Sequence, residues 1–496
     1  MKTHVEVRRG VYFDSVTLLG VSQEVQRVDG VDQALVAMAT QLNVEVLEDL
    51  GFTADGLDRA SPNDLLVAVR ADANALDTAL AEVDRALSTQ ASQMASDGGE
   101  HPPRTTCSAV RRSDAALALV SVPGEHAFVE AMDALRAGRH VMVFSDNVPV
   151  AQEIALKAEG HARGLLVMGP DCGTAIVGGV GLGFANVVRP GPVGIVAASG
   201  TGAQQVCCLL DAADVGVSHV LGVGGRDLSA DVGGAASLQA IDMLDADPST
   251  ELIIVVSKPP DERAREAVVE RVGICSTPVV LGFVGRGRPD LTAVTHDALR
   301  RLDRTPPRPR RWGPDDLPAG GFATLRGLFS GGTLCDEAMA IAADALGPIR
   351  SNIPLEPDWA LPGGPDADGH VMIDFGDDEL TRGRPHPMID HSLRSARLER
   401  ESQRSGNHAV LLDVVLGHGA DGDPAGALAP AIAAARQRAS ARGDLLAVVV
   451  SLCGTRGDPQ DLHGQAHKLS DAGAAVHLSN ADAAREAVSL VGGDMT

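Results

Sequence analysis

The strongest constraint on the fold is a turn that occurs twice. Ser199-Gly200-Thr201-Gly202 follows the apolar run from Val193 to Ala198, and Ser330-Gly331-Gly332-Thr333 follows the run from Leu325 to Phe329. Each opens a stretch with helical spacing, Ala203 to Ala213 in one case and Leu334 to Leu346 in the other. A strand that ends in small residues and turns directly into a helix leaves the first amide hydrogens of that helix without partners, beside the positive end of its dipole. Such a turn can seat an anion. Taken singly it is also an ordinary helix cap, with Thr201 and Thr333 closing their own helices.

The repetition extends past the turn. Val220 to Asp227 and Glu251 to Pro260 follow the first copy, and Leu411 to Gly419 and Leu446 to Thr455 follow the second. Two βα arrays with matching punctuation predict a duplicated domain. If the copies pack face to face, two helix N-termini converge on one anionic group between them. The second copy carries what reads as a long insertion between Asn352 and Asn407.

Upstream, the pattern predicts a small α/β unit: a strand near Val5 to Phe13, a helix from about Val31 to Leu50, a strand from Asp64 to Arg70 and a helix from Ala75 to Leu87. A Ser/Gly/Pro-rich stretch from Ser88 to Arg112 reads as a linker. From Ala115 apolar strands (Ala115 to Val122, His140 to Phe144, Leu165 to Met168) alternate with amphipathic helices (Glu125 to Ala137, Ala151 to Ala162). That order predicts a parallel, doubly wound sheet whose ligand loops lie at the carboxyl ends of its strands. The expected organisation is an α/β protein of four domains, at 1–88, 108–190, 191–303 and 321–491. The basic, proline-rich passage from Arg304 to Arg311 reads as a tether.

Length and charge narrow the functions. A chain of 496 residues is too long for one core. A formal net charge of -24 repels nucleic acid and anionic membrane, so neither is an expected partner. No apolar run reaches bilayer length and the N-terminus lacks a signal-peptide core, which makes the cytoplasm the expected location. The seven cysteines are odd in number and show no CxxC spacing. They read as small reduced residues, with no zinc or other metal site expected.

Met168-Gly-Pro-Asp-Cys-Gly173, Gly191-Pro-Val-Gly-Ile-Val196, Ser199-Gly-Thr201 and Gly222-Val-Gly-Gly225 resemble the α subunit of succinyl-CoA synthetase, and the second repeat is similar to the carboxyl-terminal domain of that enzyme's β subunit. The fusion of both behind a distinctive N-terminal domain resembles the FdrA family of acyl-CoA-synthetase-like proteins. Tyr12-Phe-Asp-Ser15, the stretch from Gly30 to Ala39 and Gly383-Arg-Pro-His-Pro-Met-Ile-Asp390 carry that likeness. The resemblance implies a Rossmann-like, CoA-binding-type domain at 108–190 followed by two flavodoxin-like ligase domains. Ligases of this kind carry a phosphorylated histidine in a Gly-His-Ala-Gly loop; here the strand Pro278 to Val284 leads into Gly285-Arg-Gly-Arg-Pro289, and the nearby His296 lacks glycine neighbours. The strand that would supply its acidic partner ends in Ser257-Lys258-Pro259-Pro260. Neither an ATP-grasp domain nor the glycine fingerprint of the CoA-binding domain is present, so a phosphohistidine route is not expected of this chain alone.

The FdrA resemblance implies a subunit that works with partner proteins in purine and allantoin breakdown, in oxamate carbamoyltransferase activity: carbamoyl transfer between oxamate and phosphate. Ser199, Gly200, Thr201 and Gly202, with Gly331, Gly332 and Thr333 opposite, would donate to a phosphate or carbamoyl phosphate. Arg384 would grip a carboxylate and His386 move a proton, with Asp390 orienting His386 or capping the next helix. Arg226 and Asn147, at strand ends, would reach the same cleft. Cys453 reads as a buried small thiol and His418 as a loop residue. Two alternatives stay open: an acyl-CoA ligase whose phosphohistidine and nucleotide modules come from a partner chain, with CoA as a ligand, and a non-catalytic scaffold. A small anionic substrate, partner subunits and a homo-oligomer are the associations expected.

Overall fold

A computed structural model describes residues 1–11, 13, 15–53, 57, 60–95, 103–314, 321–361, 367–381 and 384–492. Tyr12, Asp14 and Gly383, which carry part of the family likeness, lie outside the described residues. The chain forms two compact units, Met1–Arg104 with Arg382–Pro385, and Thr105–Thr381 with His386–Thr496. Among the described residues no helix is long and apolar enough to cross a membrane.

The N-terminal unit is a three-stranded antiparallel sheet in the order Lys2–Arg8, Leu65–Ala71, Val31–Met38. Strand residues alternate between its faces. Leu65, Val67 and Val69 pack with helices Ser15–Gln26 and Leu76–Ala95, while Leu66 and Ala68 pack with Leu47 of helix Gln41–Asp49. The single helix expected from Val31 to Leu50 is therefore a strand and a separate helix. Helix-forming Ala, Leu and Met residues become extended because Gln33 to Met38 pair with Arg70 to Leu65, which supplies backbone partners and buries Val36 and Met38. Thr40 then starts a new helix by accepting from the Asn43 amide. The first strand stops at Arg8, not near Phe13, and the helix Leu76–Ala95 runs into the stretch expected as linker.

Among the described residues the larger unit holds three sheets. Leu117–Val120, His140–Val143 and Val167–Met168 form a small parallel sheet, as the alternation from Ala115 predicts. The next has the order Val279–Phe283, Leu252–Ser257, Pro190–Ala198, Val217–Gly222, Thr174–Val177, Val180–Gly183, its first four strands parallel. The last has the order Arg311–Trp312, Ala475–His477, Leu446–Cys453, His408–Val415, Thr324–Phe329, Val371–Asp374, with only Arg311–Trp312 antiparallel. Counted from the strand before each glycine turn, the parallel strands run 2-1-3-4 in the first copy and 2-1-3-4-5 in the second, the flavodoxin-like order.

This order corrects the pairing of repeats. The partner of Val217–Gly222 is Val371–Asp374, which lies inside the segment expected as an insertion, and His408–Val415 corresponds to Leu252–Ser257. Only four residues long and at the sheet edge, Val371–Asp374 offers too short an apolar run to stand out among the prolines and glycines around it.

The two copies share one core. Ile195, Ala203, Val206 and Cys207 of the first pack in the same cluster as Phe329, Leu334, Ala338 and Met339 of the second. The sheets cross the expected divisions: Thr174–Val177 and Val180–Gly183, inside 108–190, pair into the sheet of the first glycine-turn copy, and Arg311–Trp312, ahead of 321–491, pairs into the sheet of the second, all within one compact unit. Helices Gly200–Ala212 and Gly332–Leu346 meet end to end because their first residues are small. A methyl group placed on Gly331 would lie 2.7 Å from Thr201 Cγ2 and 2.9 Å from its Cβ. Gly331→Ala should therefore cost about 1–3 kcal/mol by overpacking. Thermal unfolding should show part of that loss recovered in the Gly331→Ala/Thr201→Gly double variant.

Candidate functional site

The paired turns meet. Ser199, the N-cap of helix Gly200–Ala212, accepts from the Gly202 amide at 3.0 Å and donates to Thr333 Oγ1 at 2.6 Å, so the starts of the two helices are joined directly. The second turn already holds an internal anion. Asp413, from the centre of strand His408–Val415, accepts from the Ser330 amide at 2.7 Å, the Ser330 hydroxyl at 2.9 Å and the Gly331 amide at 2.9 Å. Gly202 and Gly331 are thus engaged within the protein. The amides of Gly200, Thr201, Gly332 and Thr333 occupy the first turns, where the helix itself offers no acceptor. Thr174 flanks Gly200, its Oγ1 3.2 Å from where a methyl group on that glycine would sit.

Charged side chains ring this junction. A methyl group on Gly332 would lie 2.7 Å from Asp374 Oδ2 and 3.0 Å from Lys258 Nζ, which places both against the second helix start. Lys258 follows strand Leu252–Ser257 and lies 3.3 Å from Asp336. Burial disfavours its charge, but Asp336 and Asp374 outweigh that and hold the ammonium above the ordinary lysine range. Asp374 ends strand Val371–Asp374, where its other oxygen accepts from the Gly376 amide at 2.9 Å. Burial raises its carboxyl to about 7 against the pull of Lys258. Asp171, in the loop after Val167–Met168, also reaches about 7, through desolvation and the neighbouring Asp378 and Asp146.

His386 borders the same place. A methyl group on Gly376 would lie 2.9 Å from His386 Nε2 and 3.1 Å from Asp374 Oδ1. The ring stands 5.4 Å from Phe184, centroid to centroid. Its Nδ1 accepts from the Met388 amide at 3.3 Å, which assigns the proton of the neutral ring to Nε2. Desolvation, with Arg394 nearby, lowers its pKa to about 4, so at neutral pH it is an uncharged donor.

The other expected residues are placed differently. Arg384 is exposed and belongs to the N-terminal unit. Asp390 accepts from the Ser392 amide and hydroxyl, both at 2.9 Å, so it serves the start of helix Ser392–Glu401 and not His386. Arg226 pairs with Glu153 at 3.0 Å and donates to the Val148 carbonyl at 2.8 Å. Asn147 is an exposed turn residue with φ of 53°. Cys453 is fully buried, 3.6 Å from Cys208 Sγ, and His418 is exposed and bridged through its backbone to Ala185. Lys258, Asp336, Asp374 and Asp413 were absent from the expected set. Asp413 and Asp374 had a readable signal, an acidic residue set in an otherwise apolar run, which a buried strand carries only for a partner.

Asp374 has a measurable signature. Between its ordinary value of 3.8 and about 7 the unfolded chain has lost this proton while the folded chain keeps it, so the residue subtracts from stability as pH rises through that window. The stability of the wild type relative to Asp374→Asn should fall between about pH 4 and 7 and then level off, as followed by denaturant titration at a series of pH values.

Known proteins match this architecture in two places. Residues 1–103 match the family model for the heavy metal-associated domain of AllF, and residues 328–490 match the CoA-ligase model. The first name implies a metal, but residues 1–103 contain no cysteine, and His4 lies 3.6 Å from Glu6. Among the described residues no group of three or more metal-ligating side chains occurs, so the donor set does not fit a thiophilic ion. Succinate–CoA ligase [ADP-forming] subunit alpha 2 of Archaeoglobus fulgidus is 30% identical over 36% of this chain and 61% of its own length. The chain thus spans less than two-thirds of that curated relative. ATP citrate lyase from Methanothrix soehngenii, solved with citrate and coenzyme A, is 19% identical over 40% of this chain and 37% of its own, with a TM-score of 0.30, too loose to bear on the site. Uncharacterized protein YahF of Escherichia coli (strain K12) is 37% identical over 97% of both chains. The chain belongs with YahF to the FdrA-like, succinyl-CoA synthetase α-related family of CoA-ligase-like proteins.

Proposed function

We propose that this chain is the acyl-transferring subunit of an acid–thiol ligase, acting with a partner that binds the nucleotide. The observation that carries this reading is the hydrogen bond of 2.6 Å joining the two helix starts at Ser199 and Thr333, with Lys258 beside them. In it, the phosphate of an acyl phosphate rests against the amides of Gly200, Thr201, Gly332 and Thr333 and draws on Lys258 as its cation. The sulfur of CoA attacks the acyl carbon, the carbon–oxygen bond to phosphate breaks, and phosphate leaves with the electron pair, stabilised by both helix dipoles. Asp374, whose carboxyl titrates near neutrality, takes the thiol proton, while His386 donates from Nε2.

Carbamoyl transfer between oxamate and phosphate would use the same phosphate seat. The family match over residues 328–490 and the Archaeoglobus subunit both carry the names of CoA ligases, and neither supports carbamoyl chemistry; the thiol ligase is the better supported reading. Partner subunits accord with the match to the alpha subunit of a succinate–CoA ligase.

Acyl phosphate and CoA, mixed with the full chain and its nucleotide-binding partner, should yield a thioester, detected by its ultraviolet absorbance. Lys258→Met should lower kcat/KM by about 10²-fold. No thioester, together with phosphate release from carbamoyl phosphate in the presence of oxamate, would overturn the ligase reading.

A further inference from the structure

The Asp413 that fills the second turn is itself held by a buried cation. Arg394, from helix Ser392–Glu401 and 1% exposed, donates to Asp413 Oδ1 at 2.8 Å and to the Asp413 carbonyl at 2.6 Å. Its other terminal nitrogen donates to the Pro387 carbonyl at 3.3 Å and meets His391 Nδ1 at 2.8 Å. His391 in turn lies 3.4 Å from Asp421. One guanidinium therefore touches, through its two ends, the carboxylate that fixes the Ser330–Gly331 turn and the loop that follows His386. Its planar fork suits this role, since two separate directions of donation are built into one rigid group.

We propose that Arg394 is the positioning residue of the anion seat, setting the second helix start through Asp413 and the His386 loop through Pro387 and His391. This inference rests on the ligase reading only for the identity of the anion. Nothing in the arrangement brings Arg394 to the ligand itself. Its effect passes to the amides of Gly332 and Thr333 by way of Asp413, and to His386 by way of the loop. Among the described residues, Arg394 and, across Gly376, Asp374 are charged groups that face His386. Removing Arg394 takes one positive charge from beside the imidazole and frees the loop, and Arg394→Lys separates the two effects because it restores the charge without restoring both contacts.

The test uses the full chain with selectively labelled histidine and inorganic phosphate as the probe. In the wild type the His386 ring should titrate near 4. In Arg394→Met the midpoint should move upward, and phosphate should bind about tenfold more weakly by calorimetry. Arg394→Lys, which restores charge but cannot reach Asp413 and Pro387 together, should return the His386 midpoint while leaving phosphate binding impaired. If Arg394→Met does not fold, His391→Phe keeps the buried ring and removes the acceptor on that arm, and phosphate binding should still weaken. Folded variants with the wild-type His386 midpoint and phosphate affinity would overturn the proposal. A wild type that binds no phosphate would instead count against the ligase reading, with the His386 midpoints still deciding the role of Arg394.

Discussion

The contact between Ser199 and Thr333 exists because glycine stands wherever a side chain would hold the two helix starts apart. Gly331 lies against Thr201, and a methyl group on Gly202 would fall 2.4 Å from Ser199 Oγ and 3.1 Å from Thr333 Cγ2. Close approach alone would leave the junction soft, since such helices could slide. Buried polar groups behind it fix the crossing. Glu337 of helix Gly332–Leu346 accepts from the Leu291 amide at 2.6 Å and from Asn480 at 2.7 Å, and Gln205 of helix Gly200–Ala212 accepts from the Asn480 amide at 3.2 Å. Four helices are thereby registered against one another by groups that are costly to leave unpaired.

The same junction concentrates charge that an acidic chain would be expected to keep in water. Asp336, Asp374 and Asp413 are all buried around it, and each has its carboxyl raised chiefly by burial. Lys258 and Arg394 divide the compensation between them: the lysine serves the side facing Gly332, the arginine the side behind the turn. The Asp413 carboxylate is held in place by four donated hydrogen bonds, and its carbonyl by a fifth. Asp374 titrates near 7, so near neutrality its carboxylate is available to take up a proton at the junction, which is the role the proposed transfer gives it.

Much of this was legible in the chain. The duplicated strand, glycine turn and helix gave the two flavodoxin-like modules and their meeting point, because sheet period, helix spacing and small residues all act locally. The misread stretches share a different cause. Val31–Met38 is extended only because Leu65–Ala71 lies alongside it, and a partner 27 residues away even at the nearest pairing, Met38 with Leu65, is not something local propensity can register. Val371–Asp374 was hidden by its brevity. Among site residues, those on the glycine turns were readable from backbone logic, whereas Lys258, Asp374 and Asp336 become a group only where two strand ends and a helix meet. Asp390 shows how such alternatives resolve: of its two expected roles, orienting His386 or capping the next helix, its hydrogen bonds to Ser392 fit the second.

The lysine at position 258 also bears on which half of a ligase reaction this chain can perform. In the ligase pattern that the sequence resembles, an acid at this strand end steadies a phosphohistidine, and the chain has neither that acid nor the glycine-framed histidine. A carboxylate there would hold an imidazole that must become cationic during phosphoryl transfer; an ammonium there does the opposite, repelling an imidazolium and attracting phosphate. His386, the imidazole nearest the junction, is held neutral with Nε2 protonated, which removes the lone pair a phosphoryl acceptor needs at the nitrogen facing the site. Both departures favour a seat that receives a phosphate already bonded to an acyl group over one that builds a phosphoenzyme, and on the ligase reading they assign the phosphorylation step to the partner chain.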